Sequence, residues 1–337
     1  MQHRIAERLS GSGKRSLRNV SELDAARIGT LIDTDACISY ASKRYPKIRL
    51  ATKSWAIVKY LFEEYGENYY QRQKSEKNKA SYWDYKVGDE YYYTWAIGKQ
   101  ESVRAALENA IDYIVVKRNN ADIALEALDN LVNKTSNWKA KAEEIAERGK
   151  EANHVVYEEI DLKTVQRGDR DFSTLTDLEA ARLAMLIDAE GSVTYSGTSP
   201  IVVIAMTCPY LIVWLLETFG GSQSTYRTKY SRKLMYRWSL KNKEDYPKIR
   251  ALHKRILDFY ILKKEQAQIH LQLLEYTHDA TKLCAKLHEL NENLYELLDP
   301  CNLQGVLSKE QARKLHNYIE THLPERLVKT EFRKKQS

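Results

Sequence analysis

Closely spaced cysteine pairs are missing from this sequence. The four cysteines, Cys37, Cys208, Cys284 and Cys301, stand far apart with no CxxC, which argues for reduced thiols in an intracellular compartment rather than a disulfide framework. Long apolar runs are missing too. The longest, PYLIVWLL at 209–216, falls far short of the roughly 20 residues that cross a bilayer, so a soluble protein with no membrane partner is expected. The opening stretch MQHRIAERLSGSGKRS lacks the apolar core of a secretory signal, and the expected location is intracellular: cytoplasm or nucleoid, or an organelle. Phenylalanine is scarce, 5 against 23 tyrosines, so the aromatic surface mostly carries hydroxyls, as polar interfaces do. No Ser/His/Asp set or reactive-cysteine setting suggests covalent catalysis. GSGKRS at 11–16 lacks the full spacing of a phosphate-binding loop. Cys284 and His288, four apart on a helical stretch, make only half of a zinc site.

What the chain does have is length, positive charge and a repeat. Its 337 residues suit one large or two medium domains, and a net charge of +7 favours a polyanionic partner. RIGTLIDTDACISY at 27–40 returns as RLAMLIDAEGSVTY at 182–195, an offset of 155 positions. The surroundings repeat as well. Ser21 to Asp24 caps a first helix, and Thr176 with Glu179 forms a capping box ahead of DLEAARLAMLID.

In the first copy the helix runs to about Asp33. Strands follow near 36–44 and 47–53 around a Tyr45-Pro46 turn, then a helix ending at Gly66. A polar loop is expected over 67–81, strands near 82–87 and 90–97, and helices near 101–114 and 119–132. The second copy has strands in GSVTYS and IVVIAMT, and a helix with proline at its start and a glycine pair at its end. Strands over 223–230 and 233–240 and helices near 244–260 and 264–276 complete it. The expected fold is therefore α+β: two pseudo-twofold-related αββαββα(α) halves, each an antiparallel sheet backed by helices, plus C-terminal helices. The boundaries read as a disordered tail over 1–20, halves over 21–135 and 175–277, a helical and polar linker over 136–174, and a helical extension with a basic tail over 278–337.

Asp35 and Glu190 hold equivalent places at the carboxyl ends of the repeated helices. An acid there meets the negative end of the helix dipole, at a cost of a few tenths to about 1 kcal/mol, and needs a cation nearby. Ala26 and Gly29 match Ala181 and Ala184, a small-residue stripe that lets two helices pack closely. Helices packed on those stripes place the two acids side by side, where they repel and a pKa rises. A hard divalent cation, Mg²⁺ above all, resolves that conflict.

The paired motif resembles that of the LAGLIDADG homing endonucleases in their single-chain form. Ile28 to Ala36 and Leu183 to Gly191 align with the motif without gaps. The resemblance implies an intron-encoded or free-standing monomeric nuclease that binds double-stranded DNA along its sheets. It would hydrolyse one phosphodiester per strand and leave short 3′ overhangs. It further implies that Asp35 and Glu190 bind the catalytic metal, with the Thr34 and Ala189 carbonyls assisting, and that Lys117 and Lys263, at the junction of the last two helices of each half, assist catalysis. Three positions depart from the pattern: Ala36 replaces the closing glycine, and Thr30 and Met185 replace a small interface residue; the bulk of Met185 at a tight crossing predicts a slightly splayed helix pair.

DNA contacts are expected from Lys43, Arg44, Lys47, Arg49 and Lys53, from Arg72 and Lys74, and from Arg227, Lys229, Arg232, Lys233 and Arg237. Antiparallel ribbons fit a major groove with alternate residues on the base edges, and Tyr82, Tyr85, Tyr91 and Tyr93 alternate suitably. Two other functions stay open: an RNA-binding maturase acting on structured intron RNA, and a DNA-binding relative that no longer cuts.

Overall fold

The structure, a computed structural model, describes residues 5–12, 14–41, 44–52, 55–73, 91–153, 157–196, 199–227, 234–275, 283–288, 290 and 291. The expected α+β architecture is present. In the first half, helix α1 (Glu22–Asp33) leads into strands β2 (Ala36–Ala41) and β3 (Tyr45–Thr52), which follow an N-terminal strand β1 (Ile5–Ser12). Helix α2 (Trp55–Tyr65), strands β4 (Gly66–Gln73) and β5 (Tyr91–Ile97), and helices α3 (Gln100–Ala110), α4 (Arg118–Val132) and α5 (Trp138–Asn153) complete it. The second half runs α6 (Asp177–Glu190), β6 (Gly191–Ser196), β7 (Ser199–Met206), α7 (Pro209–Phe219), β8 (Ser222–Arg227), β9 (Leu234–Leu240), α8 (Tyr246–Ile256) and α9 (Lys264–Glu275). A 3-10 turn follows α3 at Ile111–Tyr113, and another follows α8 at Leu257–Phe259.

Both sheets are antiparallel, in the orders β1-β4-β5-β3-β2 and β6-β7-β9-β8. The second order matches the first once β1 is set aside. Side-chain alternation divides each sheet between a helix-covered face and an outer face. Ile48, Leu50, Tyr93, Trp95 and Ile97 point into the first core, and Val202, Ile204, Tyr236, Trp238 and Leu240 into the second. Each core closes on a tryptophan whose ring N–H donates to a helix-terminal glycine carbonyl: Trp95 to Gly66 at 2.9 Å and Trp238 to Gly220 at 2.7 Å. Gly66 and Gly220 have φ of 67° and 69°, as expected for glycines that end α2 and α7.

Four expectations need correction. The supposed tail 1–20 contains β1 and a 3-10 turn at Leu17–Asn19. The supposed loop 67–81 begins with β4, whose polar sequence GENYYQRQ hides a strand paired on both sides, by β1 and β5. Tyr45 and Pro46 belong to β3 rather than to a turn, and pair with Ala41 and Tyr40. The last correction concerns α5, a helix as expected but packed on the first half rather than serving as linker. Its Asn153 amide donates to the Ile38 carbonyl at 2.7 Å, and Asn291 donates to the Val193 carbonyl at 3.0 Å. Ile38 and Val193 stand 155 apart, so the helical residues 283–288, 290 and 291 meet the edge strand β6 as α5 meets β2. Ile123, Ala127 and Ile145 pack with Tyr40 in the first half, as Ile269, Leu273 and Cys284 pack with Tyr195 in the second. The strand expected near 82–87 and the chain beyond 291 lie outside the described residues.

Candidate active site

Helices α1 and α6 pack against each other at the centre of the molecule. Their interface is not the simple small-residue stripe expected. Ala26, Ala181 and Ala184 are fully buried, but Gly29 faces its own half: a Cβ there would lie 2.7 Å from the Tyr113 Cβ and 3.2 Å from the Ala110 carbonyl. Thr30 satisfies its hydroxyl within α1 by donating to Ala26 O at 2.9 Å. Met185, from the second half, inserts into the first half's core. The exchange is mutual, because Ile261 and Leu262 also pack on the first core while Val116 packs on the second.

The carboxyl ends of the two helices carry the candidate acids. Asp35 follows α1 by two residues, and Glu190 is the last residue of α6. Both are part-buried. Burial raises the Asp35 carboxyl to about 6, against the pull of the Lys117 and Lys263 charges. Burial, and then the negative charge of Asp35 itself, raises Glu190 to about 7, again against both lysines. The acids are thus electrostatic neighbours, as the duplicated motif required.

Each lysine caps a helix end. Lys117 Nζ donates to the Thr34 carbonyl at 3.1 Å and to the Ala36 carbonyl at 2.7 Å. Lys263 Nζ donates to Ile187 O at 2.7 Å and Asp188 O at 2.6 Å. Helix ends leave carbonyls without partners and a partial negative charge, and the ammonium groups meet both. Burial lowers both lysine pKa values; the strongest opposing pull on Lys117 is Asp33 and on Lys263 is Asp188. Of the two carbonyls expected to ligate metal, Thr34 O accepts from Lys117, while Lys263 bonds the carbonyls ahead of Ala189.

Sequence reading missed the residues that place the lysines. Asp33 accepts the backbone N–H groups of Val115, Val116 and Lys117 at 2.8, 2.9 and 2.9 Å. Asp188 accepts those of Ile261, Leu262 and Lys263 at 2.7, 3.2 and 3.1 Å. Burial pushes both carboxyls up, opposed at Asp33 by those amides and at Asp188 by the Lys263 charge and then the amides. The signal was present: this aspartate repeats at the same offset as the metal-candidate acid. What it bonds was not, because backbone amides have no letter in a sequence. The repeat also extends further towards the amino terminus than expected, since Arg15 pairs with Asp24 as Arg170 pairs with Glu179.

A cavity of about 310 Å³ adjoins Glu190, lined also by Asp33, Thr34, Lys117, Asn120 and Tyr157. Among the described residues no three His, Cys, Asp or Glu side chains converge.

The DNA-contact candidates divide. Lys47 and Arg49 stand on the outer face of β3, beside Cys37, Ser39 and Ala96. Arg237 stands on the outer face of β9, between Ala205 and Ser224. Arg44 is paired with Glu143 of α5. Arg227 shares the opposite parity with Thr225 and binds Glu159 at 2.7 Å, so it corrects the expected outer placement. Tyr93 is a core residue, 1% exposed, because a strand's odd positions share one face and Trp95 already points inward. Arg72 is described only in its backbone, opposite Tyr92; Lys43, Lys53, Lys74, Tyr82, Tyr85, Lys229, Arg232 and Lys233 lie outside the described residues, as does the Tyr91 side chain.

No family profile matches the chain, and no curated protein does. Among solved structures it is similar to the LAGLIDADG meganuclease I-AabMI bound to uncleaved DNA, at 12% identity over 79% of this chain and 98% of that one, TM-score 0.48. It is similar also to the LAGLIDADG homing endonuclease I-SmaMI bound to cleaved DNA, at 11% identity over 85% and 97%, TM-score 0.45. A third is the LAGLIDADG homing endonuclease I-GzeII in complex with its DNA target, at 9% identity over 80% and 98%, TM-score 0.45.

Proposed function

We propose that this chain is a monomeric, sequence-specific endonuclease of the LAGLIDADG homing type that hydrolyses one phosphodiester in each strand of double-stranded DNA. The observation that carries the reading is the meeting of Asp35 and Glu190. Two copies of one motif, 155 residues apart, bring two acids into one part-buried site with a lysine beside each. A helix pair evolved only for stability has no use for such a pair, because each acid is held well above its ordinary pKa at a helix end that already carries negative charge. Since one chain supplies both acids, a second copy is not needed.

The donor set fits a hard divalent cation such as Mg²⁺. Asp35 and Glu190 would hold it, with the Thr34 and Ala189 carbonyls assisting; Thr34 O also accepts from Lys117. When bound, the ion supplies a Lewis acid for the phosphoryl oxygen and an acidified water. The chain's own residues then do the rest. Lys117 and Lys263 bring positive charge to where charge develops on each scissile phosphate. Asp33 and Asp188 fix the backbone from which those lysines extend. The outer sheet faces, through Lys47, Arg49 and Arg237, meet the duplex, with phosphate contacts setting register and base contacts setting sequence.

Cleavage of a cognate site with Mg²⁺ tests the reading. Asp35→Asn should abolish cutting while DNA affinity stays within about threefold, since the carboxylate would hold metal rather than contact phosphate. Undiminished cutting by that variant contradicts the assignment.

A further inference from the structure

Two arginines remain without a role. Arg27 on α1 and Arg182 on α6 stand at repeat-equivalent positions. Each crosses the boundary between the halves. Arg27 Nη2 donates to the Phe259 carbonyl at 3.4 Å, and Arg182 Nη2 to the Tyr113 carbonyl at 3.3 Å. Tyr113 and Phe259 are equivalent in turn: each closes the 3-10 turn of its half, four residues ahead of Lys117 or Lys263. Both bonds are long, and one alone would be weak evidence. Their duplication, donor for donor and acceptor for acceptor across the two halves, is hard to reconcile with chance.

The surroundings sharpen the point. Arg27 is only 17% exposed and keeps one foot in its own half, through Asp24 and the Tyr60 hydroxyl, both at 3.3 Å. Arg182 is half-buried, and the strongest favourable charge it meets is Asp33 of the other half, the very carboxylate that holds the Val115–Lys117 amides. Desolvating a guanidinium between packed helices costs more than an apolar side chain of similar volume would. A charged group retained there specifies position rather than adding stability.

We propose that Arg27 and Arg182 are positioning residues that act across the interface, each signature helix fixing the turn that carries the other half's lysine. The setting of one lysine then depends on an arginine in the opposite half, and the two strand-cutting centres are coupled. What the lysines do rests on the endonuclease reading; the coupling itself does not.

Amide hydrogen exchange on the full chain separates the two. In Arg182→Met, exchange at Val115, Val116 and Lys117 should rise about tenfold with Ile261–Lys263 unchanged, and Arg27→Met should give the reverse pattern. Arg→Lys at either position should recover most of the protection, because an ammonium reaches one carbonyl; this variant also keeps the test open where Met impairs folding. Loosening of the variant's own half, or of both junctions alike, overturns the proposal. On a cleavable site, Arg182→Met should slow the strand that Lys117→Met slows, at least fivefold more than the other; equal slowing of both strands overturns it too. Absence of cutting by the wild type counts against the endonuclease reading alone, and the exchange pattern still decides the coupling.

Discussion

At the scale of residues, the site is built from groups held away from their preferred state. With their pKa values raised to about 6 and 7, Asp35 and Glu190 favour folding only while protonated. Their contribution is present below the ordinary carboxyl range and is lost as pH rises through 6 and 7. Metal-free protein at pH 8 should therefore gain about 1–2 kcal/mol from Asp35→Asn, seen as a higher melting temperature that shrinks at pH 5; an unchanged or lower melting temperature at pH 8 contradicts the burial of that charge. A second titrating group works in the opposite sense. The Tyr260 hydroxyl donates to His253 Nδ1 at 3.4 Å, His253 Nε2–H to His270 Nδ1 at 3.0 Å, and His270 Nε2–H to the Thr194 carbonyl at 2.7 Å. That chain uses every ring nitrogen with both imidazoles neutral. Burial lowers His253 well below its ordinary value and His270 to about 4. Depressed histidine values give stability that is present above about 6.5 and lost as pH falls towards 4. The first half has Leu107 and Ala124 at the equivalent places. A His253→Leu/His270→Ala variant should show a flatter stability profile between pH 6.5 and 4.5 in denaturant titrations; an identical slope would assign the acid sensitivity elsewhere. The acids of the site were legible as letters 155 apart, and the lysines, 146 apart, by their place at matching helix junctions. The histidine chain was not, because its members come from α8, α9 and β6 with no common spacing.

At the scale of elements, packing decides what small residues are for. Sequence spacing placed Gly29 at the interface of the signature helices, whereas it lets the 3-10 turn at Ile111–Tyr113 lie on α1. That turn leads to Lys117, so Gly29→Ala should displace it. We expect a loss of about 1–3 kcal/mol in unfolding experiments, with faster amide exchange at Val115–Lys117; wild-type stability and exchange would show that the turn yields freely. Helix order was readable because caps and apolar periodicity are local: the Thr176–Glu179 capping box and the proline that opens α7 stand where expected. β4 escaped notice because a strand bonded on both edges needs no apolar alternation to hold its backbone. A helix was expected in the C-terminal extension, but the likeness of residues 283–288, 290 and 291 to α5 was not legible, because it lies in a few contact residues, Asn153 with Asn291 among them.

At the scale of the whole molecule, duplication accounts for two halves of like topology, and the exchange of Met185, Val116, Ile261 and Leu262 between cores fixes how they meet. The repeat made two halves legible from the sequence; which side chains cross between them follows only from the packed helices. The outer faces differ: Lys47 and Arg49 on one sheet, and Arg237 among Ile201, Ala205 and Met235 on the other. Phosphate contact through such cations should weaken steeply with salt, and replacing Lys47 by Ala should lower the slope of log affinity against log salt by about one counterion; an unchanged slope removes Lys47 from the interface. The most direct test of the central claim is to incubate the protein and its Asp35→Asn variant with a pool of randomised duplex sites and Mg²⁺, and to sequence the cut ends. The wild type should yield double-strand breaks with short 3′ overhangs at one preferred sequence, and the variant none. No cutting of any site, together with tight binding to a structured RNA, would contradict it.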